Sequence, residues 1–474
     1  MEQHAEKQNQ KPGQLMSPAS GAGHQDEKLG TAPLGRLIVS LAIPAVIAQL
    51  INVVYNMVDR IYIGHISNVG PQALTGLGLS LPIILLIQAF SALAGMGGAP
   101  RASIQLGKGD RQAAERILGN SVTLLLFFAI VLSIVFYFCK TPLLYMFGAS
   151  DATVGFAEDY LNIYLLGTVF VMAYQGLNMF ISCQGHAKTA MFSVLIGAIL
   201  NIVLDPLFIF TFGMEIRGAA LATIISQGVS AVWVVSFLLS KKTGLRIRKE
   251  NLRLDFRVLF GIVALGVSPF VMQSTESLIN IVLNRGLQQY GGDLYVGTLT
   301  ILQSVMQFIV IPASGFTQGA QPILSYNYGA GSIERVKKAF HLMFAIVNGF
   351  GIVLTSVVML FPRFFAGLFT EDASLLALAD SSMPVFVAGG LIFGIQMSCQ
   401  STFMGLGKAG ISLFVALWRK VILLIPLAII LPRFFGVEGI YWAEPAADIT
   451  SALTAGILFY LTVYKKIFQK GEKR

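Results

Sequence analysis

Apolar residues in this chain run in long unbroken stretches, without the alternation of a half-buried strand or the one-sided spacing of a surface helix. Twelve such stretches are roughly 20 residues or more, enough to cross a hydrocarbon core about 30 Å thick. Charged or turn-forming breaks delimit them at 37–64, 73–99, 117–138, 157–183, 189–212, 218–240, 258–284, 295–322, 336–361, 383–404, 411–432 and 439–464. Lipid offers no hydrogen-bond partners, so the backbone must satisfy itself within each segment, and the pattern predicts an all-α integral membrane protein of twelve transmembrane helices.

The pattern also repeats. Pro44 in the first span has a counterpart in Pro269, LGKGDRQAAERI (106–117) in YGAGSIERVKKA (328–339), GHAKTA (185–190) in GLGKAG (405–410), Pro206 in Pro426, and FGMEIRG (212–218) in FGVEG (435–439). A common offset of about 220 to 225 residues divides the chain into two pseudo-symmetric six-helix lobes. The predicted organisation is a disordered cytosolic tail (1–30), an N-lobe (31–240), a basic connector (241–257), a C-lobe (258–464) and a cytosolic tail (465–474). An even number of spans per half gives both halves the same orientation, related by an axis along the membrane normal, as in two-lobed secondary transporters. Duplication that only builds a stable bundle is the alternative.

Composition agrees: 55% hydrophobic and 12% charged, with mean hydropathy +0.72, is too little charge for a water-covered surface. The net charge of +9 could suggest nucleic acid, but the charges lie between the spans. With the N-terminus inside, the cytosolic loops gather Arg101, Lys108, Arg111, Arg116, Lys188, the connector with seven Lys/Arg against two acids, Arg335, Lys337, Lys338 and Lys408. The other side holds little beyond Lys140, Arg217, Arg285, Arg363 and Arg433, so both termini are expected in the cytosol of a multi-pass inner-membrane protein. The connector reads as a topology anchor that attracts anionic membrane lipid. Cys139, Cys183 and Cys399 are scattered in apolar runs and read as small packed residues.

Acids inside spans are costly and mark function or tight pairing. They are Asp59 (span 1), Asp205 (span 5), Glu276 (span 7), Glu444 and Asp448 (span 12). Asp205 lies about 24 Å along its helix at 1.5 Å per residue, in the outer half. Asp59 near the outer end of span 1 and Thr223 near the outer start of span 6 fall at a similar height. Asn201 precedes Asp205 by one turn on the same face. Carboxylate, amide and hydroxyl oxygens suit a proton or a hard cation such as Na⁺, so Asp59, Asn201, Asp205 and Thr223 form the candidate coupling-cation site. Buried together, two carboxyls resist carrying two charges and can load and release a proton. For Asp59, snorkelling to the interface or pairing with Arg60 is the alternative; for Asp205, an interhelical hydrogen bond. Pro44 is expected to bend the first span, and that bend to be coupled to cation binding.

A polar stripe of Gln49, Asn52, Tyr55, Asn56 and Asp59 runs down span 1 at helical spacing. Gln175, Asn178, Gln303, Gln307, Gln396 and Gln400 either line a pathway or join helices, and Glu276 is a second cation site or a ligand for a positively charged substrate. Arg419 and Lys420 need partners within the membrane, Glu444 or Asp448 on the following span being the obvious ones, and a structural pair of Arg419 with Asp448 is favoured. The chain has no GxxxxGKS/T loop, GxSxG or HExxH, so neither direct use of ATP nor a known hydrolase constellation is expected.

The segments IPAVIAQLINVVYNMVDRIYIG (43–64), GKGDRQAAE (107–115), SCQGHAKTAMFSVLIGAILNIVLDPLFIF (182–210) with RGAALAT (217–223), and YNYGAGSIERVKKA (326–339) resemble the multidrug and toxic compound extrusion (MATE) family. The resemblance is strongest to its bacterial branch of DNA-damage-inducible type and Gram-positive multidrug exporters, and covers essentially the whole chain after residue 30. It implies two six-helix lobes in a V, exporting organic cations and amphipathic drugs in exchange for H⁺ or Na⁺ without a cofactor. The family's amino-lobe cation site falls on Asp59, Asn201, Asp205 and Thr223, and its helix-bending proline on Pro44. The competing reading is a flippase for a lipid-linked saccharide, where more Arg/Lys should face the cavity to hold a pyrophosphate. A two-lobed transporter can complete its pathway as a monomer, with small-molecule drugs as partners and no nucleic acid.

Overall fold

The computed structural model describes residues 23–67 and 69–469, and no strand occurs among them. Of the two tails expected from sequence, 1–22 and 470–474 lie outside the described residues, but 23–30 correct the expectation of disorder. They form a helix, α1 (Gly23–Thr31), with Leu29 fully buried and its carbonyl accepting from Asn327 Nδ2 at 2.8 Å.

Spans 1, 2 and 3 are α2 (Leu34–Gly64), α3 (Gly70–Gly107) and α4 (Arg111–Met146). Span 4 is a broken pair, α5 (Val154–Leu166) and α6 (Thr168–Ser182), bent by 60° at Gly167. Span 5 is α7 (Ala187–Pro206), continued by a π turn over Leu207–Thr211, and span 6 is α8 (Glu215–Leu239). The second half repeats this plan: α9 (Phe256–Gly291), α10 (Asp293–Gly329) and α11 (Ile333–Leu360), then a short α12 (Pro362–Gly367). Span 10 is again broken, into α13 (Ala373–Val387) and α14 (Gly390–Gly405), bent by 43°. Span 11 is α15 (Ala409–Leu417), a π segment over Trp418–Leu424, α16 (Ile425–Ile430) and α17 (Pro432–Phe435); span 12 is α18 (Glu438–Phe459) with a π tail to Phe468. Counting each bent pair as one span gives twelve. Both breaks fall at matching places in the repeat, whereas the π turn of span 5 follows Pro206 and the π segment of span 11 precedes Pro426.

The sharp breaks occur at glycines rather than at Pro44. Helix α2 continues through Pro44, which has no N–H to offer the carbonyl of Ser40 one turn earlier. At Gly167 the position of a side chain is filled by Ile224 of α8, so only glycine lets that corner close.

Glycines also set how the lobes meet. Gly97 and Gly266 seat α3 and α9 backbone to backbone, and Gly107 and Gly329 lie against the main chain of Tyr326 and Ile104, so a Cβ at any of the four would clash. Gly315 and Gly319 seat α10 on Val46 and Ala42 of α2 in the same way. All these seats lie in the halves of their helices nearer the face where both described chain ends emerge. The connector docks on the N-lobe: Gln184 Oε1 accepts from Thr243 Oγ1 (2.7 Å) and Leu245 N (2.8 Å), and Arg248 pairs with Glu115 at 2.7 Å. Cys183 and Cys399 are buried as expected, whereas Cys139 is exposed because it lies on the outward face of α4 beside the exposed Tyr137 and Phe138.

Candidate coupling site and central cavity

Asn201 and Asp205 sit one turn apart on α7, and Asn201 Nδ2 donates to Asp205 Oδ1 at 3.1 Å and to Thr223 Oγ1 of α8 at 3.5 Å. Asp59 of α2 faces the same cluster, its carboxyl near enough to that of Asp205 for the two to interact. The four residues singled out from depth and spacing are thus brought together in the N-lobe. Asp205 is fully buried, and Asp59 and Asn201 nearly so. Among the described residues neither acid has an ion-pair partner, so Asp59 is not paired to Arg60. Asp59 Oδ1, Asn201 Oδ1 and Asp205 Oδ2 are buried acceptors with no hydrogen-bond partner. Such oxygens are expensive to leave unsatisfied, and a proton or a small hard cation is what they fit.

Sequence reasoning missed the aromatic wall of this site. Tyr160 lies beside Thr223 and stacks on Tyr164 with centroids 5.9 Å apart. The i, i+4 tyrosines of span 4 were the available signal; in an apolar run they read as packing. Asn52 and Tyr55 line a small cavity beside Asn201, Thr223 and Tyr174. Gln49 reaches across the lobes to Gln318 at 3.5 Å. Asn56 is exposed and donates to its own helix at Asn52 O, 2.6 Å. Asn178 joins α6 to α7, donating to Ala190 O (3.3 Å) and accepting from Ser193 Oγ (3.1 Å). Neither Asn178 nor the half-buried Gln175 lines the large cavity described next.

That cavity, ≈ 540 Å³, belongs to the C-lobe except for Met96. Glu276, Gln303, Gln307, Gln396 and Gln400 all line it, with Met272, Met306, Met397, Phe386 and Phe393 supplying soft apolar wall. Gln303 donates to Asn280 at 3.1 Å. Gln400 ties Ser268 to Ser412, donating to each hydroxyl at 2.9 Å, and so fixes span 7 against spans 10 and 11 beside Pro269. The π segment carries Arg419 and Lys420 inward. Arg419 Nε donates to Asp448 Oδ1 at 2.6 Å, its Nη2 to Glu444 Oε1 at 3.0 Å, and its guanidinium lies 4.8 Å from the Phe393 ring centre. Lys420 Nζ pairs with Glu276 and donates to Met272 O at 2.9 Å. The sequence offered Glu444 or Asp448 as partners for these two cations; the partner of Lys420 is instead Glu276, across the seam between spans 7 and 11.

The profile of the MatE family matches residues 44–207 and 269–430, one stretch in each lobe. The multidrug export protein MepA of Staphylococcus saprophyticus subsp. saprophyticus is 24% identical over 435 residues, 92% of this chain and 95% of its own length. MepA of Staphylococcus aureus strain NCTC 8325 is 24% identical over 432 residues, 91% and 94% of the two chains. Among solved structures, a crystal structure of MATE in the bent conformation superposes with a TM-score of 0.88 at 23% identity, covering 94% of this chain and 99% of that one. An outward-facing multidrug resistance MATE family transporter of the MOP superfamily gives 0.87 at 22% identity, covering 95% and 99%. These likenesses show a shared two-lobed fold, and with both lobes matched by one profile the chain belongs to the MatE family of multidrug and toxic compound extrusion transporters.

Proposed function

We propose that the protein is a secondary active multidrug exporter, exchanging organic cations or amphipathic drugs for H⁺ or Na⁺ by alternating access. The observation that carries this reading is the cluster of buried, unpartnered acceptors on Asp59, Asn201 and Asp205, contributed by spans 1 and 5. Two carboxylates this close repel when both are charged, and a proton or Na⁺ between them removes the repulsion. Occupancy draws α2 toward α7 and release lets them part, which moves the first span, through Pro44, against the C-lobe that it touches at Gly315 and Gly319. The printed function of the MepA relatives, multidrug export, is of the same kind. The glycine seats close the face bearing the chain ends; the positive-inside bias assigns that face to the cytosol, so the conformation is outward-open in the inner membrane, with the monomer as the working unit.

The flippase alternative gains one observation, since Arg419 and Lys420 do face the cavity. Arg419 is held by Glu444 and Asp448 and Lys420 by Glu276, so the cluster carries three acids against two cations, a balance that disfavours a pyrophosphate.

The test is efflux of a fluorescent organic cation from proteoliposomes under a proton or a sodium gradient imposed separately. One of the two gradients drives efflux in the wild type, and Asp205→Asn loses at least about tenfold of it while remaining inserted. Gradient-driven efflux at the wild-type rate in that variant overturns the assigned site.

A further inference from the structure

Spans 7, 11 and 12 repeat spans 1, 5 and 6, yet the two lobes fill this shared position differently. The N-lobe gathers two carboxyls there; the C-lobe gathers Glu276, Arg419, Lys420, Glu444 and Asp448. Four of the five line the ≈ 540 Å³ cavity, two of each sign, and Asp448 lies behind Arg419. Each acid that reaches the cavity already holds a cation: Glu276 holds Lys420, and Glu444 holds Arg419.

This arrangement discriminates by charge. A simple monocation finds no uncompensated acid; to pair with Glu276 it must take that carboxylate from Lys420, which is 7% exposed and cannot turn to water. A simple anion takes Lys420 from Glu276 and gives that carboxylate no cation in return, in a cluster of three acids against two cations. A ligand bearing both charges can replace one ion pair by two. The two members of the pair are suited to that exchange because they differ in freedom. Lys420 is anchored by Met272 O at 2.9 Å, whereas the Glu276 side chain is 52% exposed and can swing aside. Around them the methionines and phenylalanines of the wall offer adaptable apolar contact, and the volume is that of a drug-sized molecule.

We propose that the C-lobe cavity is a subsite for zwitterionic amphiphiles, whose carboxylate displaces Glu276 from Lys420 while their cationic group takes the released Glu276. This rests on the export reading above and names the substrate class of its cavity.

Equilibrium binding to the purified full-length protein in detergent, followed by fluorescence polarisation, tests it without any gradient. The probes are rhodamine B, with a xanthylium cation and a carboxylate, and its ethyl ester, which keeps only the cation. Wild type is expected to bind rhodamine B about tenfold or more tightly than the ester. Lys420→Gln should erase that preference by weakening rhodamine B and tightening the ester, Lys420→Arg should retain it, and Glu276→Gln should weaken the ester. Should Lys420→Gln not fold, the wild-type preference and its retention in Lys420→Arg decide the matter. Equal binding of both probes by the wild type, or equal weakening of both in Lys420→Gln, overturns the inference and leaves the Asp205→Asn efflux test standing. Binding of neither probe overturns the export reading and this inference with it.

Discussion

Asp205 and Asp448 are both fully buried carboxylates, yet one faces another acid and the other a guanidinium. That difference decides what each does. Removing Arg419 leaves Asp448 charged and alone, so Arg419→Met should destabilise the protein by about 3–5 kcal/mol, whereas adding Asp448→Leu to it should recover part of the loss. Thermal melting in detergent reads both; a double variant no more stable than the single one would show that the pair does not act as a unit. The N-lobe cluster was legible from sequence because its members lie on single helices at countable depth: Asn201 and Asp205 by the i, i+4 rule, Asp59 and Thr223 by distance from a span end. The Lys420–Glu276 pair was not, because which residue of span 7 meets span 11 depends on packing, and the π segment shifts the register of residues 418–424.

Among elements, the twelve spans were read in the right places, since hydropathy alone decides which segments can cross a bilayer. Their lengths were underestimated, as in α3, which runs to Gly107 rather than 99, because small and polar residues near span ends continue a helix that hydropathy cuts short. The breaks in spans 4 and 10 were invisible because glycine is frequent throughout the spans, and α1 was missed because its sequence is polar. Helix α1 makes its own prediction. Asp26 is buried against Arg111 at 3.5 Å, and burial pushes its carboxyl from the ordinary 3.8 up to about 7 despite that neighbour. The docked helix therefore binds a proton that the undocked helix releases. Docking is strongest at low pH, weakens as pH rises from about 3.8 to about 7, and is flat above that. Hydrogen exchange of the 26–31 amides, corrected for intrinsic rate, should show less protection at pH 8 than at pH 6, and Asp26→Asn should abolish the difference. Equal pH dependence in that variant would place the effect elsewhere.

For the whole molecule, the repeat in the sequence announced two lobes but not how they touch. The answer lies in residues with nothing to announce it, glycines that appear as spacing in the sequence and act as seats in the fold. Gly266→Val should push α9 off α3 and favour parting of the lobes at the face where the chain ends emerge. Spin labels at Lys108 and Glu334, exposed on the two lobes, should then give a longer and broader distance distribution than in the wild type, and an unchanged distribution would remove the seat from the mechanism. The same seam has an electrical meaning. If export is driven by an ion gradient, as proposed, the protein must also hold that gradient, and main chain pressed against main chain leaves no swinging side chain to admit a file of water. Its insulation is then set by six glycines, and any residue larger than glycine at those places turns a transporter toward a leak.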